Sequence, residues 1–186
     1  MNDITAILDA CVLYPAPLRD FFMHLGVLDT FRARWTEAIH DEWTRNLLKN
    51  RDDLQLEQLE RTRELMNAHV RDCVVENYEE LIEKLELPDP DDRHVLAAAI
   101  HAKADAIVTF NLKDFPNENL APFGIEAVHP DRFIVALIDE NAALVISAAT
   151  NQQKSLKNPP RTMAELLETL ENNGLAETVS RLRQLL

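Results

Sequence analysis

The sequence predicts an α/β fold with a mostly parallel central sheet, followed by an all-helical tail. Short apolar runs alternate with segments of helical periodicity as far as about residue 138, the pattern of βαβ units. Those runs are compact rather than alternating, as strands buried on both faces require. From about Asn141 only helical patterns remain. The chain therefore divides into an α/β domain over 1–138 and a helical extension over 139–186.

Ile4 to Leu8 is the first strand, ending at Asp9. Pro15 and Pro17 open a helical segment over Leu18 to Leu28. Thr36 then has the side chain of an N-cap for a helix through Asn50, whose core face is Ile39, Trp43 and Leu47 at i, i+4 and i+8. Asp53 to His69 places Leu56, Leu59 and Met66 among many charges, which predicts an exposed, solvated hairpin arm. Cys73 to Val75 is a short β-type run, and Tyr78 to Leu85 is helical. The sequence Pro88-Asp89-Pro90-Asp91-Asp92 punctuates the chain before an alanine-rich helix, Arg93 to Lys103, apolar enough to lie against the sheet. Asp105 to Phe110 and Ile125 to Val128 supply the third and fourth strands, and Pro130 begins another helix. In the tail, Pro159-Pro160 breaks the chain, Thr162 and Glu165 form a capping box, and Asn172-Asn173-Gly174 closes that helix before a last one from Ala176 to Leu186.

Composition limits the function. A chain of 186 residues holds one ordinary domain and a small appendage. Its two cysteines, Cys11 and Cys73, exclude a disulfide scaffold or a cysteine-based zinc site and suit a reducing cytoplasm. Asn2 and Asp3 open the chain without a basic leader, and no apolar run approaches the length needed to cross a bilayer, so a cytoplasmic protein with no membrane partner is expected. The net charge of −13 argues against a polyanionic partner, but 14 acidic and 4 basic residues between Asp52 and Asp92 account for most of it. Outside that stretch, Arg32, Arg34, Arg45, Lys49 and Arg51 form a basic cluster expected to hold a polyanion locally.

Ligands of parallel sheets bind outside the carboxyl ends of the strands, so acids at strand ends are candidate functional groups. Asp9 ends the first strand, where a buried acid is costly unless paired or metal-bound. Asp92 starts the helix feeding the third strand, and helix N-cap or metal ligand are equal readings of it. Glu42 lies one step off the core stripe of its helix, where pairing with Arg45 or Asn46 is the simpler reading. Asp114 lies four residues beyond Phe110, in what is most simply a turn. Gathered in one pocket, these acids would need a cation; Mg²⁺ or Mn²⁺ suits oxygen donors and supports phosphodiester hydrolysis. Arg45 and Lys49 at i and i+4, with Arg93 beside Asp92, are candidate phosphate contacts, and solvated salt bridges are their simpler reading. The six histidines show no zinc spacing.

The segments ILDACVLYP, IHDEW, DPDDRHVLAAAIHAKADAIVTFNLKDF and GIEAVHPDRF together resemble the PIN-domain family, especially its branch of VapC-like toxins of bacterial toxin–antitoxin pairs. The likeness spans nearly all of residues 4 to 138 and implies a PIN-like α/β/α sandwich. By that resemblance Asp9, Glu42 and Asp92 match the first three acidic positions and serve as catalytic metal ligands. Where many relatives carry a fourth acid this chain has Asn111, with Asp114 following, so either Asp114 contributes through water or a second metal is weak; Asn111 then becomes a substrate contact. The resemblance also implies an Mg²⁺-dependent endoribonuclease acting on RNA, a small cognate antitoxin, a homodimer, and a helical extension like that of some of these toxins. Two other readings stand beside it: a catalytically silent PIN fold binding RNA or protein, favoured by Asn111 and the negative charge, and a phosphatase with a DxD loop, disfavoured by Cys11 in the place of the second Asp.

Overall fold

The computed structural model describes residues 4–186. Met1, Asn2 and Asp3, on which the expectation of a chain without a leader rests, lie outside them. Four parallel strands form one sheet in the order β2-β1-β3-β4: β1 (Thr5–Leu8), β2 (Arg32–Arg34), β3 (Ala106–Val108) and β4 (Glu126–Val128). The central strands are buried along their whole length, which is why their sequences read as unbroken apolar runs.

A short helix α1 (Ala10–Leu13) and α2 (Ala16–Val27) follow β1, and α3 (Glu37–Asn50) and α4 (Leu56–His69) follow β2. After a one-turn helix α5 (Glu79–Ile82), α6 (Arg93–His101) packs on β1 and β3, its Val95 to Ala99 all buried. Between β3 and β4 runs the one-turn helix α7 (Asn117–Leu120). The remainder is α8 (Pro130–Ser155), α9 (Met163–Asn172) and α10 (Ala176–Leu185), giving α/β/α layering with a helical C-terminal region.

The expected caps form as the sequence suggests. Thr36 accepts from the Ile39 N–H at 3.1 Å, and Thr162 and Glu165 complete the capping box of α9. Helix α8 holds non-helical backbone at Asn141, whose Oδ1 accepts from Leu144 N at 3.3 Å and so restarts the helix. The rings of Phe22, Phe31 and Phe133, with centroids 5.0 to 6.3 Å apart, join α2 and the entry to β2 to α8. Asp131 of α8 accepts from the N–H groups of Glu177 at 2.9 Å and Thr178 at 2.8 Å, capping α10 from outside.

Four expectations need correction. The second strand is Arg32–Arg34, not Cys73 to Val75, which makes only an isolated parallel bridge between Val74 and Trp35. Helix α4 is no free arm: Leu59 and Met66 are buried, Arg63 pairs with Glu37 and Asp41, and Asn67 Oδ1 accepts from Trp35 Nε1 at 2.8 Å. The basic residues are spread out, since Arg34 and Arg51 flank the two ends of α3, on the order of 20 Å apart by helical rise. Finally, α8 is long and apolar enough to cross a membrane by length and composition. Its Phe133, Ile134, Leu137, Ile138, Val145, Ala148 and Ala149 are buried, against neighbours that include α2 and α10.

Candidate active site

Four residues stand immediately beyond the four strands: Trp35, Asp9, Thr109 and His129, in sheet order. Asp9 is locked into this row by its own N–H, which donates to Val108 O at 3.1 Å, and Thr109 by its N–H to Val128 O at 3.0 Å. Backbone pairing therefore carries the sheet one residue past β1 and β3, where a polar side chain can face the end of the sheet.

Asp9 is 4% exposed. Its Oδ1 accepts from Ala10 N at 2.7 Å, and its Oδ2 accepts from Thr109 Oγ1 at 2.6 Å and Cys11 Sγ at 3.1 Å. Burial pushes its carboxyl above the ordinary 3.8; the Thr109, Cys11 and Ala10 donors oppose that rise, while the charge of Glu42 adds to it. The Thr109 hydroxyl in turn accepts from Asn111 N at 3.0 Å, so a chain of donors runs from the loop after β3 to the Asp9 carboxylate. The Cys11 thiol is pushed up to about 12, first by burial and then by Asp9, and stays protonated as a donor.

Asp92 sits at the N-cap position of α6 but in helical backbone, and its side chain caps nothing. Asp89 takes the capping task of the preceding 3-10 turn, accepting from Asp91 N at 2.9 Å. The Asp92 carboxyl is half-buried and pushed up to about 7, first by desolvation and then by the charges of Asp9, Asp89, Asp114 and Glu42. That set of causes places four other carboxylates within electrostatic reach of Asp92.

Glu42 does not pair with Arg45 or Asn46. Its Oε2 lies 3.7 Å from Nε2 of His94, on the first turn of α6, and both side chains are partly buried. Asp114 closes the 3-10 turn Leu112–Asp114 begun at Asn111, whose side chain is exposed. Arg45 and Lys49 are exposed on α3, and Arg93 Nε donates to Pro90 O at 2.9 Å. His94, Thr109 and Cys11 were not singled out as site residues from sequence. Thr109 was legible in principle, as the polar residue at the end of the apolar strand AIVTF beside the strand ending in Asp9.

The donors here are oxygen atoms almost throughout, which fits a hard divalent cation. Among the described residues, no three His, Cys, Asp or Glu side chains converge tightly enough to hold an ion by themselves. Magnesium-type sites do not require that, since the ion keeps several waters and takes one or two carboxylates together with substrate phosphate.

The PIN domain family model matches residues 5–113, and the VapC50 C-terminal domain model matches residues 130–184. A Mycobacterium tuberculosis protein named "Putative ribonuclease VapC50" is 40% identical over 79 residues, which are 42% of this chain and 47% of that protein. The match thus spans about half the length of that relative. No solved structure matches the chain. With over half its length matched by the PIN domain model and a parallel sheet flanked by helices, the chain belongs to the PIN-domain family, and its helical C-terminal region matches the VapC50 C-terminal domain.

Proposed function

We propose that the protein is a divalent-cation-dependent endoribonuclease, the toxin of a type II toxin–antitoxin pair, hydrolysing RNA phosphodiester bonds at Asp9, Glu42, Asp92 and Asp114. The observation that carries this reading is the buried Asp9 carboxylate, held just beyond β1 by Thr109, Cys11 and the Ala10 N–H, with the half-buried Asp92 and the Glu42 carboxylates within electrostatic reach. Such crowding opposes folding, and a bound cation removes the opposition. Support also comes from the PIN family, whose nucleases generally use divalent ions, and from the ribonuclease name of the matched relative.

Asp9, Glu42 and Asp92 would hold the ion, Mg²⁺ or Mn²⁺, with Asp114 contributing through water. The ion would supply compensating charge and the Lewis acidity that phosphodiester hydrolysis needs. The chain's own residues do the positioning. Thr109, Cys11 and the Ala10 N–H orient the Asp9 carboxylate, and His94 faces Glu42. Arg45 and Lys49, one helical turn apart, grip the RNA backbone, with Arg93 and Asn111 as further contacts. A small antitoxin protein is the natural partner of a VapC-type toxin. We divide the chain into a nuclease domain, 1–138, and a helical extension, 139–186, and place the protein in the cytoplasm, which suits its two unpaired cysteines.

The test is RNA cleavage with Mg²⁺, Mn²⁺ or chelator, wild type beside Asp9→Asn and Asp92→Asn. Cleavage should need the ion and vanish in both variants. Chelator-insensitive cleavage, or full activity in both variants, overturns the reading.

A further inference from the structure

An open groove lies apart from the candidate catalytic carboxylates. It encloses about 930 Å³ between α2, α4 and the link from α8 to α9, and none of Asp9, Glu42, Asp92 or Asp114 lines it. Its walls are mainly apolar: Met23 and Val27 from α2, Leu65 and Met66 from α4, Leu156 from the link and Leu166 from α9. Two of these form exposed lips, Val27 at 49% and Leu65 at 41%. Large apolar side chains lining an open groove are the mark of an interaction surface.

The charges along the groove run against those of the protein. The chain carries −13 overall, yet Arg19, Lys157 and Arg161 line the groove against a single carboxylate, Asp20. Lys157 and Arg161 are exposed at the α8–α9 end, whereas Arg19 is committed to Leu13 O at 2.6 Å and to the face of Trp43. Gln152, 1% exposed, also lines the groove; its Nε2 donates to Pro17 O at 2.8 Å, and its Oε1 has no hydrogen-bond partner among the described residues. Along α2 the lining runs from Ala16 to Val27, about 16 Å at helical rise, which accommodates about three turns of a docked helix.

We propose that this groove seats an amphipathic helix of a partner protein, its apolar face against Val27, Leu65 and Met66 and an acidic flank toward Lys157 and Arg161. Shape and apolar lining call for anchors at i, i+3 or i+4, and i+7. The cationic end sets the preference for Glu and Asp beside those anchors.

Two fluorescent helical peptides of about 12 residues, each with Leu at those anchor positions, test this by anisotropy: one flanked by Glu, one by Lys. The Glu-flanked peptide should bind about tenfold tighter. Leu65→Glu and Val27→Glu, both at exposed positions and checked for fold by circular dichroism, should each weaken it at least about tenfold. Lys157→Glu with Arg161→Glu should reverse the preference. No saturable binding, equal affinity for the two peptides, or unchanged affinity in Leu65→Glu overturns the proposal. So does light scattering that shows a wild-type dimer dissociated by Leu65→Glu, which would make the groove a self-interface. All these variants leave the four carboxylates intact, so failure here leaves the nuclease reading standing, and loss of RNA cleavage in Asp9→Asn leaves the groove untouched.

Discussion

The hydroxyl of Thr109 donates to Oδ2 of Asp9 at 2.6 Å, joining the ends of β1 and β3 across 100 residues of sequence. Thr109 is fully buried and accepts from Asn111 N, so its one proton is committed to Asp9. Thr109→Val keeps the shape and removes that donor. Cleavage and cation affinity should fall roughly 10- to 100-fold, the usual cost of losing a group that orients a metal ligand. Thr109→Ser should restore most of both. Calorimetric Mn²⁺ titration beside RNA cleavage assays checks this; equal loss in the Val and Ser variants would contradict it.

Asp92 should trade stability for function. Its carboxyl rises from 3.8 to about 7 on folding, so the folded chain holds a proton that the unfolded chain has released between those values. Stability from this group is therefore lost as pH rises through about 7. At pH 8 without metal, Asp92→Asn should be more stable than wild type by on the order of 1 kcal/mol, discounted for a half-buried group. Mg²⁺ should raise the wild-type melting temperature more than the variant's, by mass action. Thermal scans with and without chelator decide it.

His40 gives a pH dependence of the opposite sign. It is fully buried between α3 and α4, with Nδ1 accepting from Trp43 Nε1 at 3.0 Å and Nε2 at 3.0 Å from Asn67 Oδ1, which is an acceptor. Both partners fit the neutral ring with its proton on Nε2, and a second proton would face the Trp43 N–H. Burial, as the largest cause, lowers its pKa below 6.5. The unfolded chain thus binds the proton first, and stability falls as pH drops below 6.5 toward the folded value. Replacing His40 with Gln should flatten that limb of the melting temperature against pH, whatever its effect at pH 8.

Asp131 ties the C-terminal helices to the remainder of the chain by capping α10 from α8. Asp131→Ala should destabilise the protein by about 1–2 kcal/mol, the upper range for a lost cap. Hydrogen exchange should then show faster opening confined to Ala176–Leu185. Unchanged protection in α10 would show that packing alone holds it.

The features legible in sequence are those fixed by local pattern. The run ending in Asp9, the Thr36 cap, the alanine-rich α6 and the Thr162 and Glu165 capping box all depend on neighbours within a few residues. β2 was not legible: in Arg32–Arg34 only Ala33 is buried, and a strand of that length has no periodicity to read. Glu42 was ambiguous because its partner His94 lies 52 residues away, beyond any helical spacing rule. Asp92 stands at the N-cap position of α6 as its sequence suggests, but its side chain makes no capping hydrogen bond, a difference set by backbone conformation that residue type alone does not reveal. The length of α8 is not legible in sequence because Asp139 and Glu140 interrupt its apolar run just before Asn141.

The central claim is that the acids around Asp9 and Asp92 form one divalent-cation site. Calorimetric titration of the metal-free protein with Mn²⁺, wild type beside Asp9→Asn, tests it most directly. Saturable uptake by wild type that is abolished in Asp9→Asn is the predicted result. Absence of uptake by a folded wild-type protein, or equal uptake by the variant, would contradict it and favour a catalytically silent PIN fold.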